Sequence, residues 1–327
     1  MFTQVIVANS HRGDVTQTEL EAIVPTEAIA LAKRNVQKAI PAIAKNLNLT
    51  RSIEAIVQQL PTRHQLNIGD GRCLETLPDK SVHFVVTSPP YWTLKSYPNR
   101  EGQLGTIDDY EEFLSELDRV WKQVFRLLVP GGRLAIVVGD VCVPRRRFGR
   151  HVVFPLHASI QERCRQIGFD NLAPIIWHKI ANSKCESNRK SKFLGKPYEP
   201  NAVIKNDIEY ILFQRKSGGY RQPNLATRIL SVIPEATHRE YFQQIWTIGG
   251  ASTKSHPAPY PIAIAERLIR MFSFVGDTVL DPFMGTGSTN LAASRWGRHS
   301  IGIEIEPQYF EFAHLRMKEE EKYGTFA

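Results

Sequence analysis

Apolar residues recur along the chain in two rhythms, and the change between them falls near residue 64. Before it, Ile53, Ile56, Val57 and Leu60 keep helical spacing, and Thr16 with Glu19 has the form of a capping box. Residues 1–63 are therefore expected to form a helical arm, broken into short pieces at Pro25 and Pro41. After it come short runs rich in β-branched and aromatic residues, at 65–70, 81–86, 133–140, 174–179, 207–213, 277–281 and 300–304, each predicted to be a strand. Between the second and third run, Tyr110, Phe113, Leu114, Leu117, Val120, Trp121, Val124, Phe125 and Leu128 mark one face of a helix. Asp108 and Glu111 read as its start signal, and Pro130-Gly131-Gly132 as its stop. Further helices are expected over 154–167, over 262–272 and from about Ser288. Strands alternating with helices imply an α/β body, residues 64–320, with a mostly parallel central sheet flanked by helices. Two stretches interrupt it: a basic loop at 179–206 and a less regular insertion at 215–247 that could carry recognition.

Composition narrows the classes. With 327 residues and 42% apolar content the chain can fill one large α/β core. Cys73, Cys142, Cys164 and Cys185 are scattered, with no Cys-x-x-Cys pair to suggest zinc, and read as free thiols in a reducing cytoplasm. No apolar run approaches the length that crosses a bilayer, and no basic-then-apolar signal layout opens the chain. The net charge is +8, and its distribution matters more than its sum. Lys179, Lys184, Arg189, Lys190, Lys192 and Lys196 face only Glu186, a local balance of +5 within a single loop. With Arg145, Arg146 and Arg147, they are the candidate contacts to a phosphate backbone.

Two turns carry the candidate chemistry. Thr87-Ser88-Pro89-Pro90-Tyr91-Trp92 follows a predicted strand, so Ser88 falls at a sheet edge of the kind where α/β proteins bind ligands. The two prolines stiffen the turn and remove two N–H donors, leaving carbonyl oxygens, the Ser88 hydroxyl and the Tyr91 ring as a small acceptor site for an amino group on a flat molecule. Near the C-terminus, Asp281-Pro282-Phe283-Met284-Gly285-Thr286-Gly287 joins a strand to a helix, with glycines that let a ligand approach the backbone. Asn290 stands where a dinucleotide fingerprint needs its third glycine, which disfavours a hydride-transfer cofactor. Glu304 ends the next strand at about the spacing from which an acid takes ribose hydroxyls. Asp70 sits at another strand end, where its carboxylate could accept from a ligand amine.

Taken in order, Thr87-Ser88-Pro89-Pro90-Tyr91-Trp92, His256-Pro257-Ala258-Pro259-Tyr260-Pro261, the Asp281 to Gly287 turn and Gly302-Ile303-Glu304 resemble the DNA amino-methyltransferases that use S-adenosylmethionine, in the beta arrangement. The resemblance covers roughly residues 64–320 and leaves the arm outside. It implies a Rossmann-like methyltransferase fold, permuted so that the acceptor half precedes the cofactor half. Serine before Pro-Pro-Tyr is more similar to the N4-cytosine members than to the N6-adenine members. By resemblance, Ser88, Pro89, Pro90 and Tyr91 are catalytic, holding a flipped cytosine amine for direct transfer with Tyr91 stacked on the base. Asp70, His256, Pro259, Asp281, Phe283, Gly285, Gly287 and Glu304 would bind the cofactor. The implied substrate is double-stranded DNA, with a restriction endonuclease as a functional partner. Adenine N6 methylation remains an alternative on the same site, as does methylation of RNA or of a protein amide. A monomer or a homodimer contacting through the arm fits the sequence equally.

Overall fold

The computed structural model describes residues 3–8, 16–95, 97–179, 195–197, 207–251 and 259–324. The chain opens with β1 (Thr3–Ala8), followed by four helices, α1 (Gln17–Ile23), α2 (Thr26–Arg34), α3 (Val36–Lys45) and α4 (Leu47–Gln58). The capping box at α1 forms as the sequence suggests: the Thr16 side chain accepts from Glu19 N while Glu19 bonds back to Thr16 N. Two expectations for the arm need correction. Its first segment is a strand, pairing antiparallel with β2 (Arg63–Ile68) and covering an edge of the sheet. Pro41 lies inside α3 rather than ending a helix.

The body continues with β3 (Val82–Thr87), α5 (Tyr110–Leu127), β4 (Leu128–Val138), β5 (Val141–Val143), α6 (Arg145–Phe148), β6 (Val152–Phe154), α7 (Leu156–Ile167), β7 (Phe169–His178) and β8 (Ile208–Lys216). It ends with α8 (Leu225–Leu230), α9 (Glu235–Tyr241), β9 (Ile245–Thr247), α10 (Ile262–Phe272), β10 (Thr278–Asp281), α11 (Ser288–Arg295), β11 (His299–Glu304) and α12 (Pro307–Gly324). Among the described residues, nine strands form one sheet in the order β1-β2-β11-β10-β3-β4-β8-β7-β9, and β5 with β6 forms a separate ribbon. The central strands β2, β11, β10, β3 and β4 run parallel. The acceptor strand β3 thus lies beside β10 although it precedes β10 and β11 in the chain, which is the permuted order.

β3 shows why its sequence is nearly all apolar. Val82 and Val85 pack against α5 and α7 on one face, while Phe84 and Val86 pack against α10 on the other. A strand covered on both faces needs apolar residues on both. α5 starts one residue later than the spacing suggests, because Asp109, not Asp108, caps it, accepting from Glu112 N at 2.8 Å. Its buried stripe includes Phe113 and Trp121, and full burial of such a side chain contributes about 1.5–3 kcal/mol. Leu128 falls just past its end and begins β4.

The insertion at 215–247 is more regular than expected. Arg215 and Lys216 still belong to β8, and α8 packs Ala226, Ile229 and Leu230 against Ala39, Ile43, Leu49 and Ile53 of the arm. The arm and the insertion share one apolar cluster, which is why neither shows a complete amphipathic pattern alone. β9 closes the sheet beside β7. Among the described residues, no helix is long and apolar enough to cross a membrane.

Candidate active site

The C-terminal ends of the parallel strands bring the two turns together. Asp70 follows β2, Ser88 follows β3, Phe283 follows β10 and Glu304 ends β11. All four line one cavity, with Pro90, Gly71, Tyr97, Gly102, Gln103, Leu104, Ile305 and Tyr309 among its other walls, enclosing about 550 Å³ of space between atoms. Strand pairing sets this geometry: β10 hydrogen-bonds to both β3 and β11, and Gly69 N donates to Glu304 O at 2.9 Å.

Asp281 ties the halves without touching the cavity. It is fully buried and accepts from Thr87 Oγ1 at 2.7 Å, from Phe283 N at 3.0 Å and from Thr289 Oγ1 at 2.7 Å, with Tyr260 donating at 3.3 Å. Burial raises its pKa to about 6, against the opposing pull of these donors. The cofactor contact expected of Asp281 is therefore corrected to a buried tie that orients Phe283, which does line the cavity. Phe283 is braced edge-on by Trp121, with ring centroids 6.4 Å apart.

Glu304 is buried and meets two backbone donors: Gly285 N reaches Oε2 at 2.7 Å and Glu306 N reaches Oε1 at 2.8 Å. A carboxylate offers about four lone-pair directions, so each oxygen keeps one for a ligand hydroxyl. Burial pushes its pKa up to about 7. Gly285 thus acts by supplying an N–H that aims the acid. Gly287 caps α11 in the left-handed region, φ +80°, with Ala313 Cβ 3.1 Å from where a side chain would begin. This donor set fits an adenosine-bearing group: a two-oxygen acceptor for the ribose diol, and Phe283, Ile305 and Leu104 as apolar walls. Asp70 lies on the wall, but both of its oxygens are held by Arg72, which also pairs with Glu116. Pro259 is described but does not line the cavity, and His256 lies outside the described residues.

On the acceptor side, Ser88 and Pro90 reach the cavity while Tyr91 does not. Tyr91 is 4% exposed, and its hydroxyl donates to Glu209 Oε2 at 3.0 Å, with Val137 O at 3.4 Å and Ser88 Oγ at 3.3 Å. An open stacking platform is thus replaced by a buried ring tethered at its tip. Lys179, expected in a phosphate-binding loop, is ion-paired to Glu209 and lies over the Trp177 ring, 4.7 Å from its centroid. Lys184, Arg189, Lys190 and Lys192 lie outside the described residues. Arg145, Arg146 and Arg147 occupy the helical turn α6 at the tip of the β5–β6 ribbon, not a loop. Arg147 folds inward, over Trp92 at 4.9 Å and onto Thr93 Oγ1 at 2.9 Å, so it braces the segment that follows Tyr91. Arg146 and Arg150 are exposed.

Sequence reading missed Glu209, whose signal was a lone acid within an apolar strand. It also missed Tyr97, Gly102 and Leu104, which it treated only as a cover.

The DNA methylase family model for N6/N4 methyltransferases matches residues 82–315. The chain belongs to the N6/N4 DNA methylase family. This methylase is 37% identical over 277 residues to the type II methyltransferase M.MjaI of Methanocaldococcus jannaschii, covering 76% of this chain and 88% of that one. It is 32% identical to the type II methyltransferase M.MthZI of Methanothermobacter thermautotrophicus, over 80% of this chain and 78% of that one. Among solved structures, a DNA modification methylase of Thermus thermophilus, TTHA0409, complexed with S-adenosyl-L-methionine, is 56% identical with a TM-score of 0.64, covering 79% of this chain and 93% of that one. The cytosine-N4-specific PvuII DNA methyltransferase shares the fold at 19% identity, with a TM-score of 0.56 over 80% of this chain and 92% of that one.

Proposed function

We propose that this methylase transfers a methyl group from S-adenosyl-L-methionine to the N4 amine of cytosine in duplex DNA. The observation that carries the reading is the shared cavity: Ser88 and Pro90 face the same space as Phe283 and Glu304. An amine held by the first pair lies beside a donor held by the second, and such positioning is a large part of what accelerates a transfer between two bound molecules. Bound there, S-adenosyl-L-methionine supplies an electrophilic methyl group. Glu304 takes the ribose hydroxyls, Phe283 and Ile305 pack on the apolar part, and the Gly102 to Leu104 segment excludes water.

The cytosine amine is a weak nucleophile because its lone pair is delocalised into the ring. Ser88 Oγ and the Pro89 carbonyl accept its two hydrogens, which favours a pyramidal nitrogen and frees the lone pair. Duplex DNA hides that amine, so the base is flipped into the cavity. Exposed Arg146 and Arg150 on the ribbon, with the basic 179–206 segment, contact the backbone. Serine at position 88 favours cytosine over adenine. The type II relatives support a role paired with a restriction endonuclease.

Ser88→Ala tests the assignment. It should lower transfer to duplex DNA by at least about 100-fold while S-adenosyl-L-methionine binds as in the parent. Duplex DNA should also compete for transfer far better than single-stranded RNA. Preferential labelling of RNA, or a variant that transfers at the parental rate, would overturn the reading.

A further inference from the structure

The tether at Tyr91 fixes the direction of a hydrogen-bond chain. A tyrosine hydroxyl has one proton, and here its acceptors are Glu209 Oε2 at 3.0 Å and Val137 O at 3.4 Å. Ser88 Oγ, 3.3 Å away, must then donate to Tyr91. The Ser88 proton is spent on Tyr91, and the lone pairs of Oγ are left for the cavity that Ser88 lines. At the far end Lys179 donates to Glu209 Oε1, so the two carboxylate oxygens have separate partners. Glu209 is placed by β8, which pairs antiparallel with β4 and sets it opposite Gly139. Glycine is required there: a Cβ would stand 3.1 Å from Glu209 Cγ and 3.5 Å from the Tyr91 ring.

We propose that Ser88, Tyr91 and Glu209 form a proton relay in which Glu209 polarises Ser88 as an acceptor and finally takes the proton shed by the methylated amine. This assignment rests on the functional reading above. As the amine gains its methyl group, one N–H bond breaks and its electron pair stays on nitrogen. The released proton forms a bond to Ser88 Oγ, the original Ser88 proton moves to Tyr91 Oη, and the Tyr91 proton moves to Glu209 Oε2. One proton enters and one is stored, so no oxidant or further reactant is needed. The Glu209 side chain is 10% exposed and the Lys179 side chain 31%, which gives the proton a way out to solvent. Burial, reinforced by the neighbouring Glu209, holds the Tyr91 hydroxyl pKa well above its ordinary value. Tyr91 therefore remains a neutral hydroxyl that gives a proton only as it receives one. Glu209 acts through Tyr91 and Ser88 and is a positioning residue.

The test uses the full chain with unmethylated duplex DNA and saturating S-adenosyl-L-methionine, in the parent, Glu209→Gln, Tyr91→Phe and the double variant. Glutamine keeps the volume and an acceptor for Tyr91, and thermal melting confirms that each variant folds. Each single change should slow single-turnover transfer about 100-fold. The double variant should be no slower than the worse single, and donor affinity by calorimetry should stay within about twofold of the parent. Without any ligand, Tyr91→Phe should shift a carboxylate infrared band that Glu209→Gln removes. Parental transfer by Glu209→Gln, multiplicative losses in the double variant, losses of donor affinity that match the losses of rate, or an unshifted infrared band would overturn the relay. A parent that labels no DNA overturns the functional reading and the relay with it; a parent that labels DNA beside variants of parental rate overturns the relay alone.

Discussion

Replacing Glu304 by glutamine separates what this acid costs the fold from what it gives the site. Its pKa is raised by burial from 4.5 to about 7. A carboxyl shifted upward contributes stability that is fully present below the unfolded pKa and is lost as pH rises through the folded one. Between about pH 4.5 and pH 7 the native state binds more protons, so stability falls with rising pH. At about 1.4 kcal/mol per pH unit, the loss attributable to Glu304 approaches about 3 kcal/mol. Glutamine does not ionise, but only one of its atoms can accept, so either Gly285 N or Glu306 N loses its partner at a cost of about 1–3 kcal/mol. The two changes nearly offset at neutral pH, and the variant should melt close to the parent there yet below it near pH 5. Binding should separate them further. Ligand hydroxyls that donate to Glu304 favour its ionised form, so the parental Kd for S-adenosyl-L-methionine should rise toward about tenfold per pH unit below pH 7. Glu304→Gln should bind at least about 10-fold more weakly at pH 8 and lose this pH dependence. Calorimetric titrations and melts from pH 5.5 to 8 measure both effects. A parental Kd that is flat with pH, or a variant that binds as tightly as the parent, would refute the assignment of Glu304 to the donor.

Three other perturbations probe different parts of the account. Gly102 holds φ +84°, and a Cβ there would lie 2.9 Å from Ile305 Cδ1 and 3.0 Å from Asp70 Oδ2, so Gly102→Ala should cost about 1–2 kcal/mol and weaken donor binding. Unchanged melting and affinity would remove Gly102 from the cavity wall. Asp281→Ala leaves the Thr87 and Thr289 hydroxyls and Phe283 N without their buried acceptor, and denaturant unfolding should report a loss of about 3 kcal/mol; a loss below about 1 kcal/mol would contradict the tie between the halves. Arg146→Ala with Arg150→Ala should weaken binding to any duplex sequence and reduce the slope of log K against log salt by about 1.8, whereas an unchanged slope would place the ribbon away from DNA.

The sequence revealed those parts of the fold whose cause is local. β3, β10 and β11 stand out because strands buried on both faces are almost wholly apolar, and α5 and α10 because their buried stripes are complete within one helix. Ser88, Phe283 and Glu304 were legible because each follows or ends such a strand. What stayed hidden depends on distant partners. Glu209 meets Tyr91 across 118 residues, through an antiparallel strand whose neighbour no local pattern names. β1 is stabilised by pairing with the edge of β2, and α8 shares its apolar surface with α3 and α4, so each looks irregular alone. Asp281 illustrates a subtler limit. A motif placed it beside the cofactor, yet whether an acid faces a ligand or a buried hydroxyl depends on the packing around its strand end.

The central claim is tested most directly by incubating the purified chain with methyl-labelled S-adenosyl-L-methionine and unmethylated genomic DNA, then digesting the DNA and identifying the labelled nucleoside by mass. The account predicts N4-methylcytosine, with the label lost in Ser88→Ala. Label found only in N6-methyladenine, or no labelled nucleoside from DNA, would contradict it.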